Sequence, residues 1–334
     1  MVFDVPAESG GALTILNEFY NDVSSNNEVS SESVERNEWI FAIGRASLHD
    51  APNILVLKFP WVKNSWFHRL FFDYFVAKRL VSKYDVDEII SLQNVIIPRV
   101  NVTQTLYVHQ VLPFSSKKYG IFENTRLWIY QNVISRMILQ SIKKAHKVIV
   151  QTEWLKYECI RICSVNPEKI VVKSPRISGK ILKSYAMQKK SKITFFYPAN
   201  GFPYKNHKII IEATKALLEK GINDFCVVFT LTGNESKEIN RLYNITNILH
   251  MPIQFIGSID RDRVYEYYGS SILIFPSYIE SYGLPLLEAK AHGTPILASD
   301  CPFSHEILDG YEGVVYFDPF SPEELTTIMS QYIE

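Results

Sequence analysis

Two carboxylates, Glu280 and Glu288, stand eight positions apart in the stretch Pro276-Ser-Tyr-Ile-Glu280-Ser-Tyr-Gly-Leu-Pro-Leu-Leu-Glu288-Ala-Lys-Ala-His-Gly-Thr-Pro295. By spacing alone such a pair is ordinary surface charge. The insert Ser281-Tyr282-Gly283-Leu284-Pro285 and its flanks give it chemical meaning. Ile272–Phe275 before it and Ile296–Ala298 after it are short apolar runs of strand type. Leu286–Ala291 reads as a helix, with Gly283 and Pro285 at its start and His292-Gly293 at its end. The whole is strand, loop, helix, strand, one unit of a parallel α/β sheet. A helix start leaves backbone N–H groups unbonded, and its dipole favours an anion. The N–H groups of Ser281, Tyr282, Gly283 and Leu284 are therefore placed for a phosphate, and Gly283 lets the backbone approach it closely. Glu280, on the loop, faces the same crevice. Glu288, on the second turn, can accept hydrogen bonds from two neighbouring ribose hydroxyls, as acids do in dinucleotide sites. The pattern reads as a nucleoside diphosphate on a helix N-terminus with an acid at each flank.

Several elements must position these groups. The 334 residues are enough for two domains with separate cores. The reading places an N-terminal Rossmann-like domain at 1–175, a polar and basic linker at 176–191, a C-terminal nucleotide-binding domain at 192–320 and a terminal helix at 321–334. In the second domain the strand Lys192–Tyr197 leads to Lys205-Asn206-His207 and the helix Lys208–Lys220. A lysine near a helix start after a strand is well placed to pair with a diphosphate. Gln254–Ile256 is a strand ending at Gly257-Ser258, whose backbone could read a nucleobase edge. In the first domain Val2–Val5 is a strand, and Gly10-Gly11 precede a helix at Leu13–Tyr20, a loop suited to close approach by a phosphate or sugar. Asn21–Asn37 is polar and reads as loop or irregular helix end. The strand Gln104–Val108 ends at His109, where ligand crevices lie in open α/β sheets. Trp61–Tyr84 reads as one long helix with Trp66, Phe67, Phe71, Phe72 and Phe75 interleaved with Lys63, Arg69, Lys78 and Arg79. Such a helix packs on a core or rests on an inner-membrane surface, with Lys117 and Lys118 on the same face.

Composition excludes some classes. Equal numbers of basic and acidic residues, 35 each, argue against a dedicated nucleic-acid binder. Cys159, Cys163, Cys226 and Cys301 have no metal spacing and fit a reducing cytoplasm. The opening residues have no charged segment followed by an apolar run, so a cytoplasmic chain is expected. A full Gly-x-Gly-x-x-Gly pattern is missing, which disfavours a dehydrogenase.

Ser277–Pro295 resembles the donor-sugar signature of retaining glycosyltransferases of family 4, also called group 1, and the resemblance extends over most of the chain. It implies two facing Rossmann-like domains, the glycosyltransferase-B fold. It also implies Glu280 beside the transferred sugar and Glu288 on the nucleotide ribose. His109-Gln-Val-Leu-Pro-Phe114 is similar to the His-x-x-x-Pro-Phe segment of these enzymes, which brings His109 to the donor sugar. Lys205-Asn206 is similar to their Lys-Asn element on the phosphates. An arginine that many relatives carry just before this lysine is replaced here by Ala199-Asn200-Gly201. The resemblance implies a metal-independent transfer, with retention, from a nucleoside diphosphate sugar to a saccharide or lipid-linked saccharide in surface polysaccharide assembly such as O-antigen. A sugar-nucleotide epimerase of the same fold and a non-catalytic nucleotide-sugar binder are the alternatives. Asp260-Arg261-Asp262 superficially matches a metal motif of another transferase fold, but reads as a helix cap.

Overall fold

Among the described residues the strands fall into two sheets and pair with one another in parallel. The computed structural model describes residues 1–8, 10–29, 37–175, 185–186 and 192–333. The chain divides into two compact units, Met1–Pro175 and Arg176–Glu334. Most of the 176–191 segment read as a linker lies outside the described residues.

The first unit holds seven strands: β1 Val2–Asp4, β2 Trp39–Ile43, β3 Ile54–Lys58, β4 Glu88–Ser91, β5 Thr103–Tyr107, β6 Lys147–Val150 and β7 Ile170–Val172. They lie in the order β3-β2-β1-β4-β5-β6-β7. Chain direction across the sheet reverses between β1 and β4. Parallel strands are covered on both faces, so their inner residues read as apolar runs. Val2, Phe41 and Ile43 pack with Leu16 and Val23 of the helix Gly10–Val29. Phe3, Val5 and Ala42 pack on the opposite face with Phe72, Ala77 and Val81.

The second unit holds β8 Ile193–Tyr197, β9 Phe225–Phe229, β10 Ile253–Phe255, β11 Ile272–Phe275, β12 Ile296–Ser299 and β13 Val314–Phe317, in the order β10-β9-β8-β11-β12-β13. Here the reversal falls between β8 and β11. Phe195, Phe196, Tyr197, Phe229 and Phe275 are fully buried in this core. Both sheets have the doubly wound layout in which ligands bind beyond the strand carboxyl ends at the reversal.

Helix starts follow the capping rule. Asn124, Thr152, Ser236 and Asp260 each accept an N–H from three residues on, at 2.8–3.2 Å. Asp260 is thus a cap, as its sequence position indicates.

Five segments differ from the sequence reading or go beyond it. The first helix begins at Gly10, not Leu13, and continues to Val29, through residues read as loop or irregular helix end; Leu16 and Val23 anchor it to the core. The span Trp61–Tyr84 is a 3₁₀ turn at Pro60–Asn64 followed by a helix from Trp66 to Lys83 with a π turn at Phe72–Val76. The helix Thr125–Lys144 carries a second π turn at Tyr130–Ile134, where Ser135 Oγ donates to Tyr130 O at 2.8 Å. The helices Lys237–Ile248 and Pro302–Ile307 had no sequence forecast.

The aromatic helix leaves a face uncovered. Phe67 is 83% exposed, Trp66, Phe71 and Phe75 are about half exposed, and Phe122 is fully exposed. Trp66 meets Tyr130 at 6.0 Å between ring centroids, which links the two π-containing helices. Lys63, expected beside these aromatics, instead donates to Pro6 O at 3.1 Å and pairs with Glu8 at 3.3 Å. No described helix is long and apolar enough to cross a membrane.

Candidate functional site

At the reversal point of the second sheet, the chain leaves β8 through Ala199-Asn200-Gly201 and reaches a 3₁₀ turn, Pro203–Lys205. Tyr197, the last residue of β8, is fully buried and donates its hydroxyl to Lys205 O at 2.8 Å, which fixes the turn against the strand end. Beyond β11 the loop carries Glu280. The Lys205 ammonium donates to Glu280 Oε1, and both side chains are only 14% exposed. Two groups singled out separately from the sequence are thus a direct ion pair, one from each strand flanking the reversal. A largely buried cation and acid of this kind attract strongly, since the local dielectric is below that of water.

Asn206 also takes a defined place. Its backbone is left-handed, with φ 58°, and its side-chain amide donates to Pro319 O at 2.7 Å and to Pro276 O at 3.5 Å. It ties the turn after β8 to the loops after β11 and β13, so its amide shapes the site's frame. Ser277 is buried nearby, donating to Tyr204 O at 3.2 Å and accepting at its carbonyl from Ser299 Oγ at 2.6 Å.

The helix after β11 runs Leu284–His292 and starts two residues earlier than the sequence indicates. Gly283 is its N-cap with φ 89° and ψ 57°, a conformation that penalises any Cβ. A Cβ there would also meet Leu286 at 3.3 Å and Phe275 and Ile307 at 3.6 Å. Pro285 has no N–H, and the Leu286 N–H turns back to Gly283 O at 2.9 Å. Leu284 is the first helical residue, so Ser281 and Tyr282 lie before the N-cap, and the N–H groups that open the helix are those of Gly283 and Leu284.

Glu288 is buried on the second turn. Arg261 donates to its Oε1 at 2.7 Å and Tyr268 donates to its Oε2 at 3.3 Å. Burial first, and then the Glu288 charge, push the Tyr268 hydroxyl well above its usual pKa, so it remains a donor. The sequence reading missed Arg261 and Tyr268. Arg261 sits inside the Asp-Arg-Asp triplet, where only the capping acid carries a local signal. Gly257, after β10, has φ 75° and spends its N–H on Leu231 O at 2.9 Å, leaving its carbonyl at that edge.

In the first unit, Gly10 and Gly11 form the first turn of the Gly10–Val29 helix, exposed, with open space where a Cβ would lie. His109 follows β5. Asn94 Oδ1 accepts the N–H groups of His109 and Gln110, both at 2.8 Å, so its Nδ2 is left to donate to His109 Nε2 at 3.0 Å. That arrangement puts the imidazole proton on Nδ1. Nδ1 is buried with no hydrogen-bond partner among the described residues. Burial lowers the His109 pKa to about 4, so the ring is neutral at pH 7 and presents an N–H donor.

Comparison with known proteins agrees with this architecture. Residues 180–334 match the family model "Glycosyl transferases group 1". The O-antigen chain mannosyltransferase RfbU of Salmonella typhimurium is 25% identical over 252 residues, which span 74% of this chain and 65% of that relative's length. WaaG, a glycosyltransferase involved in lipopolysaccharide biosynthesis, has a similar solved structure, with TM-score 0.71 and 13% identity over 99% of this chain and 90% of that one. Anabaena Alr3699/HepE, solved with UDP and glucose, superimposes with TM-score 0.67 and 15% identity, covering 100% and 89% of the two chains. These structural likenesses establish the glycosyltransferase-B fold. The match to the group 1 glycosyltransferases lies in residues 180–334, which hold all of the second sheet.

Proposed function

We propose that this protein transfers a hexosyl group, with retention, from a nucleoside diphosphate sugar to a saccharide or lipid-linked saccharide of a surface polysaccharide. The observation that carries this reading is the Lys205–Glu280 ion pair at the reversal of the second sheet, beside the Leu284–His292 helix start. Support comes from RfbU, named for O-antigen chain mannosyl transfer, and from HepE, which was solved with UDP and glucose.

The chemistry follows from charge. As the glycosidic bond to the leaving diphosphate breaks, negative charge grows on phosphate oxygens and the sugar becomes oxocarbenium-like. The Lys205 ammonium and the N–H groups of Gly283 and Leu284 at the helix start stabilise the growing anion from fixed positions. Donor binding opens the ion pair: Lys205 turns to phosphate and Glu280 accepts sugar hydroxyls. Glu288, oriented by Arg261 and Tyr268, retains lone pairs for the ribose. The neutral His109, oriented by Asn94, holds an Nδ1–H donor beyond the carboxyl end of β5 in the first unit. This scheme places no metal ion in the transfer. The exposed aromatics of the first unit, with Lys117 and Lys118, rest on the anionic surface of a bilayer that carries the acceptor.

A thermal-shift screen against UDP, GDP and dTDP sugars tests the donor assignment, because a ligand of the folded state raises Tm. At least one nucleotide sugar is expected to shift the protein, undiminished by a chelator. No shift across the panel defeats the reading. Isomerised donor without acceptor identifies an epimerase instead.

A further inference from the structure

A cleft of about 650 Å³ opens in the first unit, away from the sheet edge that carries His109. It lies at the amino ends of β5 and β6, where Thr103, Gln104 and His146 stand, whereas His109 follows the carboxyl end of β5. One wall is the helix Trp66–Lys83 at Asp73 and Tyr74, within its π turn. Another is the last turns of the helix Thr125–Lys144, from Met137 to Lys144. The connection between β4 and β5 runs along the cleft from Val95 to Val102. Such a volume falls among small-molecule sites, roughly 300–1,000 Å³.

The rim carries positive charge that the fold leaves unpaired. Arg99, Lys144 and His146 line the cleft and are exposed to solvent. Among the described residues no carboxylate lies within ion-pair distance of Arg99 or Lys144. Asp73, an acid of the lining, is buried and already accepts from Arg69 Nε at 2.7 Å and from Gln93 Nε2 at 3.4 Å. Arg99 has a left-handed backbone, φ 61°, a conformation unfavourable for a residue with a Cβ. Its guanidinium carbon sits 5.4 Å from the Tyr74 ring centroid, which holds it against the helix wall. His146 Nδ1 accepts the Gln104 N–H at 3.2 Å, so the neutral ring carries its proton on Nε2 and remains a donor. The buried polar groups of the lining are occupied. Ser141 Oγ donates to Met137 O and accepts the Ile96 N–H, and the Gln104 amide exchanges two hydrogen bonds with Ile97, both at 2.9 Å.

These groups select the ligand by charge. Arg99 and Lys144 repel a metal ion or an ammonium group, and a neutral ligand leaves both without a counter-charge. A carboxylate brings a single charge to two cations and an imidazole N–H. A phosphomonoester brings about −1.5 to −2 charges at pH 7 and three acceptor oxygens. Guanidinium and ammonium groups are strong partners for such oxygens. We infer that this cleft binds a small phosphomonoester, its oxygens on Arg99, Lys144 and His146 and its organic body against the aliphatic side chains of Pro98, Val100 and Met137. The site draws no residue from the second unit, and the inference does not depend on the glycosyl-transfer reading. A soluble ester and a lipid headgroup both offer this chemistry.

The test has two arms on the full chain: calorimetric titration with glycerol 3-phosphate and ribose 5-phosphate, and co-sedimentation with phosphatidylcholine vesicles containing phosphatidic acid. Binding sensitive to the rim substitutions is expected in at least one arm, and that arm identifies a soluble ester or a lipid headgroup. Arg99→Asn removes the charge and keeps a residue that tolerates positive φ. Lys144→Gln removes the second charge at an exposed position. Each is expected to weaken binding at least fivefold, and both together at least twentyfold, with melting curves unchanged. Glycerol and ribose are expected not to bind, and Lys205→Met is expected to bind the phosphomonoester as wild type does. No binding in either arm overturns the inference, as does binding that the Arg99 and Lys144 variants retain in full. Binding lost in Lys205→Met but kept in Arg99→Asn assigns the phosphate to the second unit and overturns it as well.

Discussion

Lys205 and Glu280 neutralise each other in the absence of ligand, and this shapes what each substitution does. Lys205→Met leaves Glu280 with little solvent and no partner. It removes a charged hydrogen bond to diphosphate, and nucleotide-sugar affinity should fall by roughly 1.5–3 kcal/mol. Calorimetry with the best donor checks this, and unchanged affinity excludes the phosphate role. Glu280→Gln keeps shape but not charge, so turnover should fall more than affinity; the opposite split reassigns Glu280. Asp4 gives a prediction of different kind. Its carboxyl has a pKa of about 8 when folded against 3.8 as the ordinary value. The folded state therefore binds the extra proton between those limits, and stability from this group is full below pH ~4 and lost as pH rises through ~8. Asp4→Asn should gain stability relative to wild type across that window, by up to about 1.4 kcal/mol per pH unit. Using the difference between the two proteins cancels the titration of His109, His207 and the Met1 amine, all lowered by burial. A flat difference in chemical-denaturation midpoints sinks the Asp4 pKa assignment.

Elements bring these side chains together, and here the sequence was only partly informative. The apolar runs before Glu280 and after Pro295, with glycine and proline at the helix boundaries, gave β11, the helix and β12 nearly in place. Those signals are local: a two-residue or 3.6-residue period, a missing N–H, a positive φ. Arg261 and Tyr268 were not legible as partners of Glu288, because twenty or more residues separate them from it and only the packing of helix Arg261–Tyr268 on helix Leu284–His292 joins them. The length of helix Gly10–Val29 was underestimated because polar residues mask its buried stripe. Two predictions belong at this scale. Gly283→Ala forces a Cβ into a left-handed residue with close neighbours, and should cost about 1–2 kcal/mol of stability while weakening donor binding. A melting curve superimposable on wild type contradicts the N-cap geometry. Glu288→Ala should weaken nucleotide binding by roughly 1–3 kcal/mol. If Arg261 works by orienting Glu288, Arg261→Ala combined with it should add little, leaving a coupling energy of about 0.5–3 kcal/mol in the double-mutant cycle. Strict additivity separates the two residues.

At the scale of the whole molecule the formal charge is zero, so no long-range field draws this chain to an anionic surface. Any attraction to a bilayer must come from the local surface of the first unit. Its strongest elements are the exposed rings: Phe67 at 83% and Phe122 fully exposed, with Trp66, Phe71 and Phe75 beside Phe67. Lys117 and Lys118 lie a few residues before Phe122, whereas Lys63 is engaged with Glu8 and Pro6 and contributes nothing there. Apolar burial and charge then separate experimentally. Phe67→Ser with Phe122→Ser should weaken binding to vesicles containing phosphatidylglycerol by roughly 3 kcal/mol, about a hundredfold, at any ionic strength. Lys117→Glu with Lys118→Glu should lose about 2 kcal/mol at low salt and much less at high salt, where such charges are screened. Lys63→Glu should leave vesicle binding unchanged. Sedimentation that none of these substitutions alters would mean that the aromatic face does not meet lipid, and that its exposed rings await a protein surface instead.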